Sequence, residues 1–274
     1  MFWYPLRLFA EQGMHGLWSS LFINLGTLPV LLFILHRHWR EVTTAPGRLL
    51  LIALAAGWCN TAFNLAMIEG NVVRVLLLFY LSPLWTVILA YLFLGERPHR
   101  NGLLTVAIAM LGAIIMLWDV KMGLPIPQSD ADWLALSAGI GFSINNVTVR
   151  HTQSVSVRIK TVMAWVGVMM ITSTLLFTGK HGLGDINSNV IGAALLFGLF
   201  VMVIMTLSAQ YGVTHMPAHR SAVILLFEIV VGAISAYFLT NERMSGQEWV
   251  GGALVMFAAY LSARPPSQQT QEAA

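Results

Sequence analysis

Residues 79–117 read FYLSPLWTVILAYLFLGERPHRNGLLTVAIAMLGAIIML, and residues 225–263 read LLFEIVVGAISAYFLTNERMSGQEWVGGALVMFAAYLSA. Each is an apolar run, a short turn carrying Glu-Arg, and a second apolar run. Sliding the chain by 146 residues lays Arg74–Trp118 on Arg220–Arg264, and nine of those 45 positions match. Matches of Ala, Ile or Met carry little weight in so apolar a chain. The signal lies in Arg74/Arg220, Tyr91/Tyr237, Glu96/Glu242 and Arg97/Arg243, which fall in one register. A shift of 143 then pairs Arg7 with Arg150. The register predicts an internal duplication of the chain.

The surrounding sequence has the same character. Apolar stretches recur at 14–35, 49–68, 75–94, 102–118, 133–149, 161–178, 189–211, 221–240 and 249–263. Most approach the ~20 residues a helix needs to cross about 30 Å of hydrocarbon. Several are apolar on every face, as lipid-facing helices are. The period-two alternation of an outer-membrane barrel is absent. Of the 274 residues, 57% are hydrophobic and 10% charged, with a mean hydropathy of +0.73. A soluble chain carries about 25% charged residues. The pattern predicts an all-α integral membrane protein of nine complete spans and an N-terminal stub. A net charge of +3 with no basic stripe gives no footprint for nucleic acid. The single cysteine, Cys59, reads as a small buried hydrophobe.

The repeat predicts two five-helix halves, 1–118 and 133–264, joined by a linker at 119–132 and followed by a disordered cytoplasmic tail at 265–274. The first half lacks most of its first helix. Either the true start lies upstream, or the protein works with nine spans and a stub. An odd number of helices per half places the halves in inverted orientation. With the C-terminus in the cytoplasm, ten Lys and Arg fall on the inner side and five on the outer side. That excess follows the positive-inside rule for an inner-membrane protein.

The duplicated stretch resembles the drug/metabolite transporter superfamily, and more narrowly its bacterial EamA-type exporters. The Gly-Glu-Arg turn is the most specific element. It is intact at Gly95, Glu96 and Arg97, and altered to Asn241, Glu242 and Arg243 in the second copy. The family's Glu-Pro pair is split here into Ser82-Pro83 and Glu228-Ile229. The resemblance implies ten helices in two inverted repeats, transport of a small molecule, and a turn-shaping role for both Glu-Arg pairs.

Candidate site residues follow from the cost of polarity in lipid. Glu228 falls near the middle of its apolar run, where a charged carboxylate costs roughly 2.5–3.5 kcal/mol on insertion scales. It is expected to face the bundle interior or a wet cavity, as a proton-coupling or substrate-amine site or as a carboxyl bonded to a neighbouring helix. Asn60 and Asn64 share one helix face, and the repeat lays them on Thr206 and Gln210. Two readings stand for these four: a midplane substrate site contributed once by each half, or hydrogen bonds between helices. Asn145 is a further candidate cavity residue, while Asn146 is expected near the cytoplasmic interface. Tyr80 and Trp85 flank Pro83, where they either stack on a substrate or pack. Pro83 frees a backbone carbonyl that protein or water must satisfy.

No phosphate-binding loop, dinucleotide fingerprint, nucleophile elbow or zinc-protease motif occurs. No cofactor or metal is expected. The reading is a non-enzymatic secondary transporter that exports a small metabolite such as an amino acid. Its partners are that substrate, the lipid bilayer and, if it is not driven by downhill exchange, protons. An importer or exchanger of a larger polar metabolite is the alternative within transport. A non-transporting membrane protein or an intramembrane enzyme is the alternative outside it.

Overall fold

The structure, a computed structural model, describes residues 3–14, 16–96, 100–118, 127–178, 186–239 and 245–263. Every regular element among them is helical. In chain order these are α1 (Trp3–Glu11), α2 (Gly16–Gly26), α3 (Leu28–Val42), α4 (Pro46–Glu69), α5 (Val72–Phe79), α6 (Ser82–Leu94) and α7 (Arg100–Leu117). They continue as α8 (Asp130–His151), α9 (Val157–Thr178), α10 (Ser188–Phe197), α11 (Val203–His215), α12 (Ala218–Leu239) and α13 (Gly246–Ala263). Four apolar runs of membrane-crossing length stand out among the described residues: 46–69, 74–94, 157–178 and 188–215. The pair α2 and α3, bent by 48°, makes a fifth.

Three stretches that read as continuous in sequence are interrupted. The α2–α3 bend falls at Thr27, ahead of Pro29. Proline lacks the N–H that would continue the ladder. Thr27 bonds its hydroxyl to the Asn24 carbonyl at 2.7 Å, which satisfies part of the broken turn. The 75–94 stretch breaks at Tyr80 and Leu81, and Pro83 lies in the first turn of α6 rather than inside a helix. The 189–211 stretch carries a π-helical turn, Gly198–Met202, between α10 and α11.

Tertiary packing repeats as the sequence does. α4 crosses α9 at Gly57 and Gly167, where backbones touch. A Cβ on Gly167 would collide with the Ala53 carbonyl oxygen and lie 2.7 Å from Ala53 Cα. The repeat-equivalent pair, α2 with α10 and its π-helical turn, crosses in the same way, again with one helix from each half. Cβ atoms on Gly198 and Gly26 would collide with the carbonyls of Ile23 and Leu195. The last helices of the halves, α7 and α13, pack antiparallel. Gln247 Nε2 donates to the carbonyls of Ile115 (2.6 Å) and Trp118 (2.5 Å), while Gly251 lies against Gly112.

Ion pairs fix which helix ends share a face. Arg74 Nε meets Asp132 Oδ2 at 2.6 Å, joining the starts of α5 and α8. Arg150 Nε meets Glu96 Oε1 at 3.0 Å, joining their far ends. The α5–α6 run and α8 are therefore parallel. Glu96 Oε2 accepts from the backbone N–H of Ala218 at 2.9 Å, so α12 begins where α6 ends. These two repeat-equivalent elements run in opposite directions.

Candidate functional site

Asn60 and Thr206 occupy equivalent places in the repeat, and each accepts a hydrogen bond from the helix preceding its own in the repeat order. Ser20 Oγ on α2 donates to Asn60 Oδ1 at 2.5 Å, and Trp165 Nε1 on α9 donates to Thr206 Oγ1 at 3.1 Å. The donors stand 145 residues apart and the acceptors 146. Asn64 Nδ2 adds a bond to Asn60 Oδ1 at 3.1 Å, and the Thr206 hydroxyl also bonds the Met202 carbonyl. Asn60 and Thr206 thus tie helices together. The two pairs do not form one cluster: α4 and α11 pack on different parts of α9, through Thr61–Thr172 (3.2 Å) and Trp165–Thr206 respectively.

Gln210 behaves differently. Its side chain is buried and its Oε1 has no partner. The same holds for Asn145 Oδ1, Asn146 Nδ2 and Trp85 Nε1, polar atoms closed to solvent without a hydrogen bond. These residues belong to α6, α8 and α11, and α8 packs against both of the others. Asn146 lies one turn before Arg150 on α8, and Gln210 one turn before Thr214 on α11. Arg150 Nη1 donates to the Thr214 carbonyl at 2.9 Å. Four residues rise about 6 Å along a helix, so Asn146 and Gln210 lie at similar depth, about 6 Å in from that contact. A buried amide atom left unpaired costs about 1–3 kcal/mol. A donor and an acceptor left open at one depth suit a ligand that offers both.

Glu228 is not enclosed by the described residues. The buried side of α12, formed by Val223, Leu226 and Val230, packs on α7 and α13. That rotation turns Glu228 outward beside Ile224 and Phe227. The carboxylate is still within electrostatic reach of Tyr80. Tyr80 closes α5, lies edge-on to Phe79 with ring centroids 5.5 Å apart, and packs against the α7–α12–α13 core. The carbonyl of Phe79, four residues before Pro83, lies against Gly139, where a Cβ would stand 2.8 Å from it. Ser143 Oγ donates to the Ser82 carbonyl at 2.8 Å, so α8 supports the break ahead of α6. Gly95 ends α6 with a left-handed φ of 68°, and the Glu96 N–H returns to the Ala90 carbonyl at 3.3 Å. Arg97, Glu242 and Arg243 lie outside the described residues.

Sequence reading missed Ser20, Trp165 and the connected pair Arg150 and Lys160. Ser20 and Trp165 share a register but differ in type, so no residue match marks them. Lys160 reads as one of the inner-side charges, yet it is fully buried. Two hollows are visible elsewhere: a polar one of about 400 Å³ around His36–Glu41, and an apolar groove of about 350 Å³ between α4 and α8. The groove is lined by Leu51, Leu54, Trp58 and Ile140, the surface a lipid chain would cover. Neither hollow holds a candidate site residue.

A model of the EamA-like transporter family matches residues 13–118 and again residues 130–264. The chain is 26% identical over 217 residues to the "Probable amino-acid metabolite efflux pump" of Escherichia coli, covering 73% of this chain and 69% of the relative. It is 24% identical over 247 residues to an uncharacterized transporter of Archaeoglobus fulgidus, covering 87% of this chain and 83% of that protein. A solved crystal structure superposes with a TM-score of 0.75 over 95% of this chain and 93% of that chain, at 15% identity, a likeness of fold.

Proposed function

Because the chain belongs to the EamA-like transporter family, we propose that it is a secondary transporter exporting a small metabolite, such as an amino acid, by alternating access. Its moving parts are the two inverted halves, 1–118 and 133–264. The observation that supports this reading is the set of unpaired polar atoms on Trp85, Thr86, Asn145, Asn146 and Gln210, on α6, α8 and α11; a further one, Asn24 Oδ1, lies on α2. Buried polar groups are ordinarily hydrogen-bonded, and a polar ligand is one partner these could take. An amino acid supplies donors and acceptors within a few ångströms of each other. Asn60 and Thr206 position helices, while Asn64 and Tyr80 are kept as candidate substrate contacts.

Orientation follows from charge. Arg150, Glu96 and the start of α12 share a face with the end of α3 and the start of α9. Glu41 Oε2 accepts the Ser156 N–H at 2.8 Å, and Arg158 Nη1 meets His38 Nε2 at 3.3 Å. That face carries Arg37, Arg40, Arg150, Arg158, Lys160 and Arg220. The positive-inside rule makes it cytoplasmic in the inner membrane. Glu228 is kept as the candidate for proton coupling because it is the carboxylate at mid-helix in α12, although among the described residues its side chain faces away from the packed side of that helix.

The test is flux from proteoliposomes preloaded with single radiolabelled amino acids, with and without a pH gradient. Gln210→Leu removes an unpaired buried carbonyl. It should raise stability toward unfolding by about 1 kcal/mol while lowering flux at least about tenfold, as loss of a polar substrate contact does. Unchanged flux in this variant would remove Gln210 from the site. Glu228→Gln should transport at a rate indifferent to the gradient that drives the parent. A gradient response that survives the substitution removes the coupling role. Net inward flux under physiological gradients would favour the importer reading.

A further inference from the structure

Three chain connections meet on the arginine-rich face. Gly95 makes the turn after α6, so Glu96 is not needed for it and its carboxylate is spent elsewhere. Oε1 accepts from Arg150 Nε of α8 at 3.0 Å, and Oε2 accepts from the first N–H of α12, at Ala218, at 2.9 Å. Arg150 Nη1 continues to the Thr214 carbonyl at the end of α11, and Gln153 Nε2 reaches the same oxygen at 3.1 Å. Beneath them Lys160 donates to the Val149 carbonyl at 2.9 Å and to Thr214 Oγ1 at 3.3 Å.

The charges complement the helix ends. Carbonyl ends of helices attract cations and N–H ends attract anions. Arg150 and Lys160 sit on the carbonyl ends of α8 and α11, and Glu96 sits on the N–H end of α12. The knot is therefore satisfied by the chain's own groups. It lies one turn outside Asn146 and Gln210, on the same faces of the same helices. The knot thus stands between those amides and this end of α8 and α11.

We propose that Glu96 is the latch of the gate on this face. It belongs to the first half, whereas Arg150, Thr214 and Ala218 belong to the second. One carboxylate thus ties together the two bodies that alternating access must separate. This inference rests on the transport reading above. The tie at the opposite end of α8 is a poor candidate for opening. Asp132 there is 2% exposed and Arg74 11%, against 24% and 27% for Glu96 and Arg150. Water can replace the partners of a pair about a quarter exposed, but a buried pair that separates leaves charge stranded. The Glu96 end opens at lower cost, and α8 pivots about Asp132.

The test uses a single reporter cysteine, Gln210→Cys in a Cys59→Ala background, and a membrane-impermeant maleimide. Right-side-out and inverted vesicles are labelled separately, and Gln153→Cys identifies the face that carries the latch. Glu96→Gln should raise reporter labelling from that face about tenfold or more, within the 5–150-fold range of typical couplings between sites. Labelling from the other face should fall. Glu96→Asp, which keeps a carboxylate able to accept from Arg150 and from the Ala218 N–H, should stay close to the parent in protection, which a misfolded protein could not do. Equal labelling in parent and Glu96→Gln, or a Glu96→Asp variant as open as Glu96→Gln, overturns the latch. Labelling needs no substrate. A flux panel that fails throughout would defeat the transport reading while leaving this result to stand or fall separately.

Discussion

The crossing of α4 and α9 offers the sharpest energetic test, because a single methyl group probes it. In Gly167→Ala the new Cβ would overlap the Ala53 carbonyl oxygen and stand 2.7 Å from Ala53 Cα. These are backbone atoms, so no side chain can rotate away. Ordinary contact begins near 3.4 Å, so the helices must part by about 0.7 Å or more. A gap of that size forfeits a quarter to a half of each dispersion contact across the crossing. It also stretches the Thr61–Thr172 bond, now 3.2 Å, beyond useful length. Overpacking of this kind costs about 1–3 kcal/mol, and the bond about 0.6 kcal/mol more. Alanine returns up to about 1 kcal/mol of helix propensity. The net is a loss of about 2 kcal/mol. The matched control is Gly192→Ala in α10, where nothing lies within 4 Å of the new Cβ. It should be neutral or mildly stabilising. Reversible unfolding of the detergent-solubilised protein in mixed micelles, followed by circular dichroism, gives both values. Equal stability of the two variants would refute the close crossing and the paired-half packing inferred from it.

Two further outcomes follow from the hydrogen-bond pattern. Asn60→Ala removes the bonds from Ser20 and Asn64 and should cost about 1 kcal/mol, at roughly 0.6 kcal/mol per bond. Thr206→Val strands the Trp165 N–H and should cost a similar amount, about 1 kcal/mol or more. Their effects should add, since the sites are separate; a double variant no weaker than either single one contradicts the duplicated bond. Asp132→Ala removes a 2% exposed carboxylate that holds Arg74 Nε at 2.6 Å and the Gln128 N–H at 2.8 Å. Breaking a buried pair from one side costs about 3 kcal/mol or more. A chemical denaturation midpoint within error of the parent would show the pair to be solvent-screened.

The amino-acid sequence by itself determined the solvent, the helices and the duplication. Hydrophobic runs of bilayer length admit one kind of backbone in lipid, because each N–H and carbonyl must be satisfied within its own segment. Arg, Tyr, Glu and Arg in one register then marked the repeat, since identical polar residues rarely coincide by chance in an apolar chain. The sequence did not separate Asn60 from Gln210: both are amides on apolar helices, yet one bonds Ser20 and the other keeps an open oxygen. It did not foresee the breaks at Thr27 and Tyr80, nor that Glu96 leaves the turn to Gly95 and spans two halves of the molecule. Those outcomes depend on which helix lies opposite and how far each is rotated. Rotation is set by where backbones can touch, at Gly57 with Gly167 and Gly26 with Gly198, and that is a property of pairs of helices rather than of any one stretch of chain.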